Sequence, residues 1–237
     1  MIGLLNKRIE AHKLSVIEKI SESLTENHTK IRIFLYTLPF LIEYGADMKR
    51  LLIINNQDSF TYNLVDLIRR LDVSFDVVNV QELDLDAVAN YSHILISPGP
   101  DVPRAYPQLF EMLKKYHQSK SILGVCLGHQ TLCEFFGGEL YNLDNVRHGR
   151  IQRLKVRSNS VLFQGLPNEF QIGLYHSWAI REQNFPEELT ITAQCAEEVV
   201  MAFQHNHFPI YGVQFHPESF MTEYGEQLLR NWLEHKT

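Results

Sequence analysis

Leu51-Leu52-Ile53-Ile54 is an unbroken apolar run closed by Asn55-Asn56. A strand of this kind has no polar face, so it must be covered on both sides. The pattern returns at His93–Ser97 (HILIS) and Ile122–Val125 (ILGV), with a further strand at Phe75–Val80. Helical periodicity lies between these runs. Asp58 or Ser59 can cap a helix that carries Phe60, Leu64, Leu67, Ile68 and Leu71 on one side. Pro107–His117 places Leu109, Met112, Leu113 and Tyr116 together, and Leu127–Phe136 is stopped by Gly137-Gly138. Strand and helix in alternation imply parallel strands joined by right-handed crossovers. The predicted class is α/β: an open, mostly parallel sheet with helices on both faces. The second half adds strands at Ile151–Val156, Gly173–Ile180, Leu189–Ala193, Val199–Gln204 and Ile210–Phe215, and then an amphipathic helix at about Thr222–His235.

The chain has 237 residues, 45% of them apolar, which suits one large α/β domain. Residues 48–237 are predicted to form that domain. Residues 1–47 read differently: polar and helix-compatible to residue 30, then apolar up to Gly45. Two readings of this leader stand: an upstream segment before a start at Met48, or a helical extension packed on the domain. The net charge of −6 and the absence of a Lys/Arg stripe argue against a nucleic-acid partner. The longest apolar stretch, Ile31–Tyr44, contains Arg32 and Pro39 and is too short to span a bilayer. Three cysteines without a CxxC spacing fit a reducing compartment, so a cytoplasmic location is expected.

The densest chemistry is ILGVCLGHQ, residues 122–130. A buried strand runs into Cys126 and then into a helix, with Gly124 and Gly128 on either side. This is the layout of a nucleophile elbow. Side chains at the two glycines would collide with neighbouring backbone. The turn pushes the nucleophile out at the C-terminal edge of the sheet, where open α/β folds bind ligands. The helix N-terminus favours the thiolate and offers N–H groups to an oxyanion. A lone cysteine is more often a core residue; the two glycines and the strand–helix context reverse that reading. Cys133, within the helix, and Cys195, after a strand, read as structural.

A thiol nucleophile needs a base, and the base needs a group to hold it. Among eleven histidines, His216 stands out because it ends an apolar strand and reads FHPES. The residue before a proline is driven to extended geometry, and residues two apart then face the same way. His216 and Glu218 can therefore meet. Alone, such a pair reads as a surface loop; its significance comes from the elbow. Ser97-Pro98-Gly99-Pro100 also follows a buried strand and can offer backbone N–H groups at the same sheet edge, a weak signal by itself.

Taken together, NQDSFTYNL, SPGP, GVCLGHQ, YHSW and GVQFHPES, in this order, resemble the class I (triad) glutamine amidotransferases. Within these the chain is most similar to the small subunits, component II, of anthranilate synthase and aminodeoxychorismate (para-aminobenzoate) synthase. The resemblance covers about Leu51 to Leu233. It implies a flavodoxin-like fold and a Cys126–His216–Glu218 triad: Cys126 attacks the glutamine side-chain amide, His216 moves protons and Glu218 orients it. It further implies an oxyanion hole from the N–H groups of Leu127 and Gly99, and a glutamine pocket lined by Gln130, Ser177 and Trp178. The ammonia would pass to a synthase subunit that holds chorismate and magnesium, while this chain itself carries no cofactor. The expected docking face is built from loops at Asp101–Tyr106 and Asn145–Arg150, the second with Arg147 and Arg150. The competing reading is a stand-alone γ-glutamyl hydrolase on the same fold, against which DSFTYNL and His148-Gly149 argue. The chain departs from the family pattern in three places. Asp101 stands where SPGPG has its last glycine, which demands a less comfortable backbone or a different loop. Arg147-His148-Gly149-Arg150 replaces MHGK, and Ala105-Tyr106 replaces AG.

Overall fold

The computed structural model describes residues 50–195 and 198–235, without the side chains of residues 145–147; the leader, residues 1–47, lies outside them. The first half lays down β1 (Arg50–Asn55), α1 (Thr61–Ile68), β2 (Ser74–Asn79), β3 (His93–Ile96), α2 (Pro107–Tyr116), β4 (Ser121–Val125) and α3 (Leu127–Phe135). The second half contributes β5 (Leu140–Val156), β6 (Glu169–Ile180), β7 (Leu189–Cys195), β8 (Val200–His205), β9 (Ile210–Val213) and α4 (Gly225–Glu234). The strands form one sheet in the order β2-β1-β3-β4-β9-β8-β7-β5-β6. Pairing is parallel from β2 through β9 and antiparallel from β9 to β6. This is the predicted mostly parallel α/β sheet with extra strands in the second half.

The apolar runs divide their residues between two cores, as a period of two requires. Leu51, Ile53, Leu95 and Leu123 face α1 and α4, through Leu64, Ile68, Leu229 and Trp232. Leu52, Ile54, Ile94 and Ile122 face α2 and α3, through Leu109, Met112, Leu113 and Leu132. Buried Trp232 donates its indole N–H to Ser121 Oγ at 3.0 Å, so α4 is fixed to the start of β4 by a satisfied polar contact. No helix among the described residues is long and apolar enough to cross a membrane.

Four local expectations need correction. The first helix begins at Thr61 with no side-chain cap; Asp58 Oδ1 instead accepts the Phe60 N–H at 2.7 Å, closing a turn before the helix. Leu71 lies beyond the end of that helix yet is buried. Asn145–Arg150 is no loop: it belongs to the 17-residue β5, which pairs with β6 through two register shifts around this stretch. Its residues lack apolar alternation, so only the pairing reveals the strand. Cys195 closes β7 rather than following it.

Gly124 and Gly128 let β4, α3 and β3 approach one another. A Cβ on Gly124 would run into the Gly128 carbonyl and lie 2.7 Å from the His129 nitrogen. A Cβ on Gly128 would strike the Ile96 carbonyl oxygen. Backbone cannot step aside as a flexible side chain can. Gly124→Ala and Gly128→Ala should each lower stability by roughly 1–3 kcal/mol, the usual range for overpacking. Urea denaturation of the two variants measures this; wild-type midpoints would contradict the packing argument.

Candidate active site

Parallel pairing of β4 with β9 sets the geometry. Gly124 lies opposite Gly212 and Val125 opposite Val213. One step on, Cys126 donates its N–H to the Val213 carbonyl at 2.8 Å. The residues that follow β9, Gln214 and His216, therefore emerge beside Cys126 at the same sheet edge. Cys126 sits at φ 52°, ψ −100°, which an L-residue adopts only under strain. Its carbonyl accepts the Gln130 N–H at 3.1 Å and opens α3. The elbow thus places the sulfur at the N-terminus of a helix.

His216 Nδ1 and Glu218 Oε1 are 2.7 Å apart, and both side chains are almost wholly buried, at 2% and 0% exposure. Burial pushes the imidazole pKa down. The Glu218 carboxylate and the neighbouring Cys126 sulfur more than offset this and raise it to about 10. Because Nδ1 is taken by Glu218, Nε2 is the nitrogen left for the sulfur. Phe60 and Tyr175 pack around the ring, with centroids 4.9 and 5.0 Å from it. The Tyr175 hydroxyl meets Ser219 Oγ at 3.0 Å, and Thr222 Oγ1 donates to the His216 carbonyl at 2.6 Å. Thr222 Oγ1 also accepts the Gly173 N–H at 2.9 Å, so the loop that carries His216 is tied to β6 at both Ser219 and Thr222.

A cleft open to solvent lies beside Cys126. Gly99, Asp101 and Val102 line one side; Gln130, Ser177 and Trp178 line another, with Leu127 next to Cys126. The SPGP turn is held from behind. Asn56 donates its backbone N–H to Ser97 Oγ at 2.9 Å and its side-chain amide to the Ser97 carbonyl at 2.8 Å. A Cβ on Gly99 would collide with the Leu127 side chain, so these two residues lie against each other. Asp101 is absent from the described residues with positive φ. The expected backbone discomfort does not arise; the chain turns instead through a short 3₁₀ segment at Pro103–Ala105, and Tyr106 is buried behind it. Of the two arginines expected on the rim, Arg150 is exposed on β5, and the Arg147 side chain lies outside the described residues.

Sequence reasoning gives Gln214 and Tyr175 no part in the site and places Phe60 on the apolar side of the first helix, whereas Phe60 precedes that helix. Gln214 is fully buried and donates its side-chain amide to Cys126 Sγ at 3.6 Å. Its place two residues before His216 is the signal that could have found it. Phe60 and Tyr175 belong to the quoted motifs, but only the fold brings both onto the imidazole. Among the described residues no group of three or more His, Cys, Asp or Glu side chains is arranged to hold a metal ion.

His129, on α3, is buried against Phe203, with ring centroids 4.7 Å apart; burial brings its pKa down to about 3. The two histidines make stability depend on pH with opposite sign. A raised folded pKa at His216 contributes stability that is complete below about 6.5 and is lost as pH rises through about 10. A depressed pKa at His129 means that the unfolded chain binds the proton first, so stability falls as pH drops from 6.5 toward about 3. Urea unfolding at a series of pH values should show the alkaline loss in the wild type and a much shallower one in His216→Gln. Parallel curves for the two proteins would contradict the buried imidazolium.

Residues 52–236 match the family described as glutamine amidotransferase class-I. A Haemophilus influenzae protein provisionally named anthranilate synthase component II is 71% identical over 184 residues, covering 78% of this chain and 95% of that one. The aminodeoxychorismate/anthranilate synthase component 2 of Bacillus subtilis is 38% identical over 186 residues, with the same two coverages. Among solved structures, a Thermoplasma acidophilum protein provisionally named as a GMP synthase component superposes with a TM-score of 0.72 at 25% identity, over 79% of this chain and 93% of that one. A glutamine amidotransferase of Thermotoga maritima shares the fold with a TM-score of 0.61 at 21% identity, over 79% and 82% of the two chains. The family match spans nearly all the described residues, and the chain belongs to the class-I glutamine amidotransferases.

Proposed function

We propose that this chain is the glutaminase subunit of a chorismate-using synthase and that Cys126, His216 and Glu218 perform the hydrolysis. The observation that carries the reading is the strained Cys126 elbow beside a buried, carboxylate-bound imidazole, with an open cleft next to the sulfur. Cys126 Sγ attacks the side-chain amide carbon of glutamine, and its proton resides on His216. The oxyanion that forms is received by the N–H groups of Leu127 and Gly99. His216 passes its proton to the departing nitrogen, which leaves as ammonia, and a γ-glutamyl thioester remains on Cys126. His216 then takes a proton from water, the water attacks the thioester, and glutamate leaves as the thiolate is restored. Glu218 holds the imidazole by Nδ1, so that Nε2 serves both half-reactions.

Gln130, Ser177 and Trp178 form the glutamine pocket in this reading. Both amide protons of Gln130 are committed, to the Trp178 carbonyl and to Gln214 Oε1, each at 3.0 Å. Gln130 therefore offers glutamine only its oxygen. The names of the relatives support the partner: a component II works with a synthase subunit, which would hold chorismate and magnesium and take up the ammonia. The product is aminodeoxychorismate or anthranilate. Asp101 and Val102 edge the cleft and belong to the face expected to dock, as does exposed Arg150 on β5.

Cys126→Ala should abolish glutamine-dependent synthesis by the reconstituted pair and leave ammonia-dependent synthesis at the wild-type rate. His216→Asn should lower glutamine-dependent turnover by at least about 100-fold, the scale of a lost general base, and Glu218→Gln by less. Unchanged glutamine-dependent turnover in Cys126→Ala would overturn the assignment. Full-rate glutamate release without any partner would instead favour a stand-alone hydrolase.

A further inference from the structure

Behind the cleft, the side chains of Gln130 and Gln214 and the Trp178 carbonyl form a connected polar line that ends at Cys126 and that the two half-reactions above leave unused. The Gln130 amide nitrogen lies 3.0 Å from the Trp178 carbonyl and 3.0 Å from Gln214 Oε1, and the Gln214 nitrogen lies 3.6 Å from Cys126 Sγ. The orientation of each amide follows from chemistry. A backbone carbonyl can only accept, so the end of Gln130 that faces Trp178 must be its NH₂. That NH₂ also faces Gln214, which must therefore present its oxygen there. The Gln214 NH₂ is then left pointing at the sulfur. Flipping either amide would set two donors or two acceptors against each other in a site where Gln214 is 0% and Gln130 3% exposed.

We propose that Gln214 is a further catalytic residue, whose side-chain amide donates a hydrogen bond to Cys126 Sγ and stabilises the anionic sulfur. This rests on the thioester reading above. A hydrogen bond to a charged acceptor is stronger than one to a neutral thiol. The contact therefore favours the state in which the Cys126 proton has moved to His216. It weakens when the sulfur forms its bond to the glutamyl carbon. It strengthens again as that C–S bond breaks and the electron pair returns to sulfur. Gln214 acts chiefly on thiolate formation and on the departure of sulfur in the second half-reaction. Gln130 is a positioning residue for Gln214, and through the Trp178 carbonyl it ties the state of the nucleophile to the pocket wall.

The test is the pH dependence of Cys126 alkylation by iodoacetamide, with the adduct located by peptide mass, in wild type, Gln214→Met and Gln214→Glu. Methionine keeps the volume and removes the donor; glutamate keeps size and polarity and sets an acceptor against the sulfur. Both curves should move to higher pH, by about one unit, which is about tenfold slower alkylation on the acid limb. A role in packing alone would change melting without moving the pH curve. Curves that superimpose on wild type in the folded variants would overturn the proposal, and Gln214→Glu decides the matter if the methionine variant does not fold. The readout needs no glutamine. A wild-type chain that fails to hydrolyse glutamine would sink the thioester reading even if the alkylation curves shifted as expected.

Discussion

The site is assembled by the parallel pairing of β4 with β9. Cys126 and His216 are separated by most of the antiparallel half of the sheet in sequence, yet they end neighbouring strands. The Cys126 N–H to Val213 carbonyl bond, at 2.8 Å, carries that pairing one residue past β4 and into the elbow. The backbone at φ 52°, ψ −100° is costly for a cysteine, on the order of 1–3 kcal/mol. It is sustained because Gly124 and Gly128 leave no room for the chain to relax without separating β4, α3 and β3.

The buried pair of His216 and Glu218 depends on the same frame. A charged imidazole with 2% exposure is tolerable only beside an opposite charge and within a shell that fixes its geometry. The carboxylate supplies the first. Phe60 from the loop before α1, Tyr175 from β6 and Thr222, six residues after His216, supply the second. The long β6, paired with β5, is therefore more than an ornament on the parallel sheet. It brings Tyr175, Ser177 and Trp178 to the cleft, and its Gly173 carbonyl accepts the His216 N–H at 3.2 Å.

The elements legible in the sequence are those whose apolar pattern is set by burial on a known side. β1, β3 and β4 read directly because both faces are covered, and α2 reads directly because one face is. The elbow is legible because glycine at 124 and 128 has a steric cause that the structure repeats atom by atom. Asn145–Arg150 is illegible as a strand because its sequence carries no apolar alternation and its identity lies in pairing with β6 across two register shifts. Asp101 looks strained only against a glycine pattern, whereas the local turn through Pro103–Ala105 removes the need for a left-handed residue. Gln214 stands in plain view in GVQFHPES, but a buried amide acquires its meaning only when its two neighbours, Gln130 and Cys126, arrive from another strand and helix.

The central claim is that the sulfur of Cys126, and no other group, takes up the glutamyl unit. Acid quenching of the protein during glutamine turnover, followed by peptide mass mapping, tests it most directly. The account predicts a glutamyl adduct on the peptide that contains Cys126, with Cys133 and Cys195 unmodified. Continued release of glutamate with an adduct elsewhere, or with none in a Cys126→Ala protein that still turns over, would contradict it.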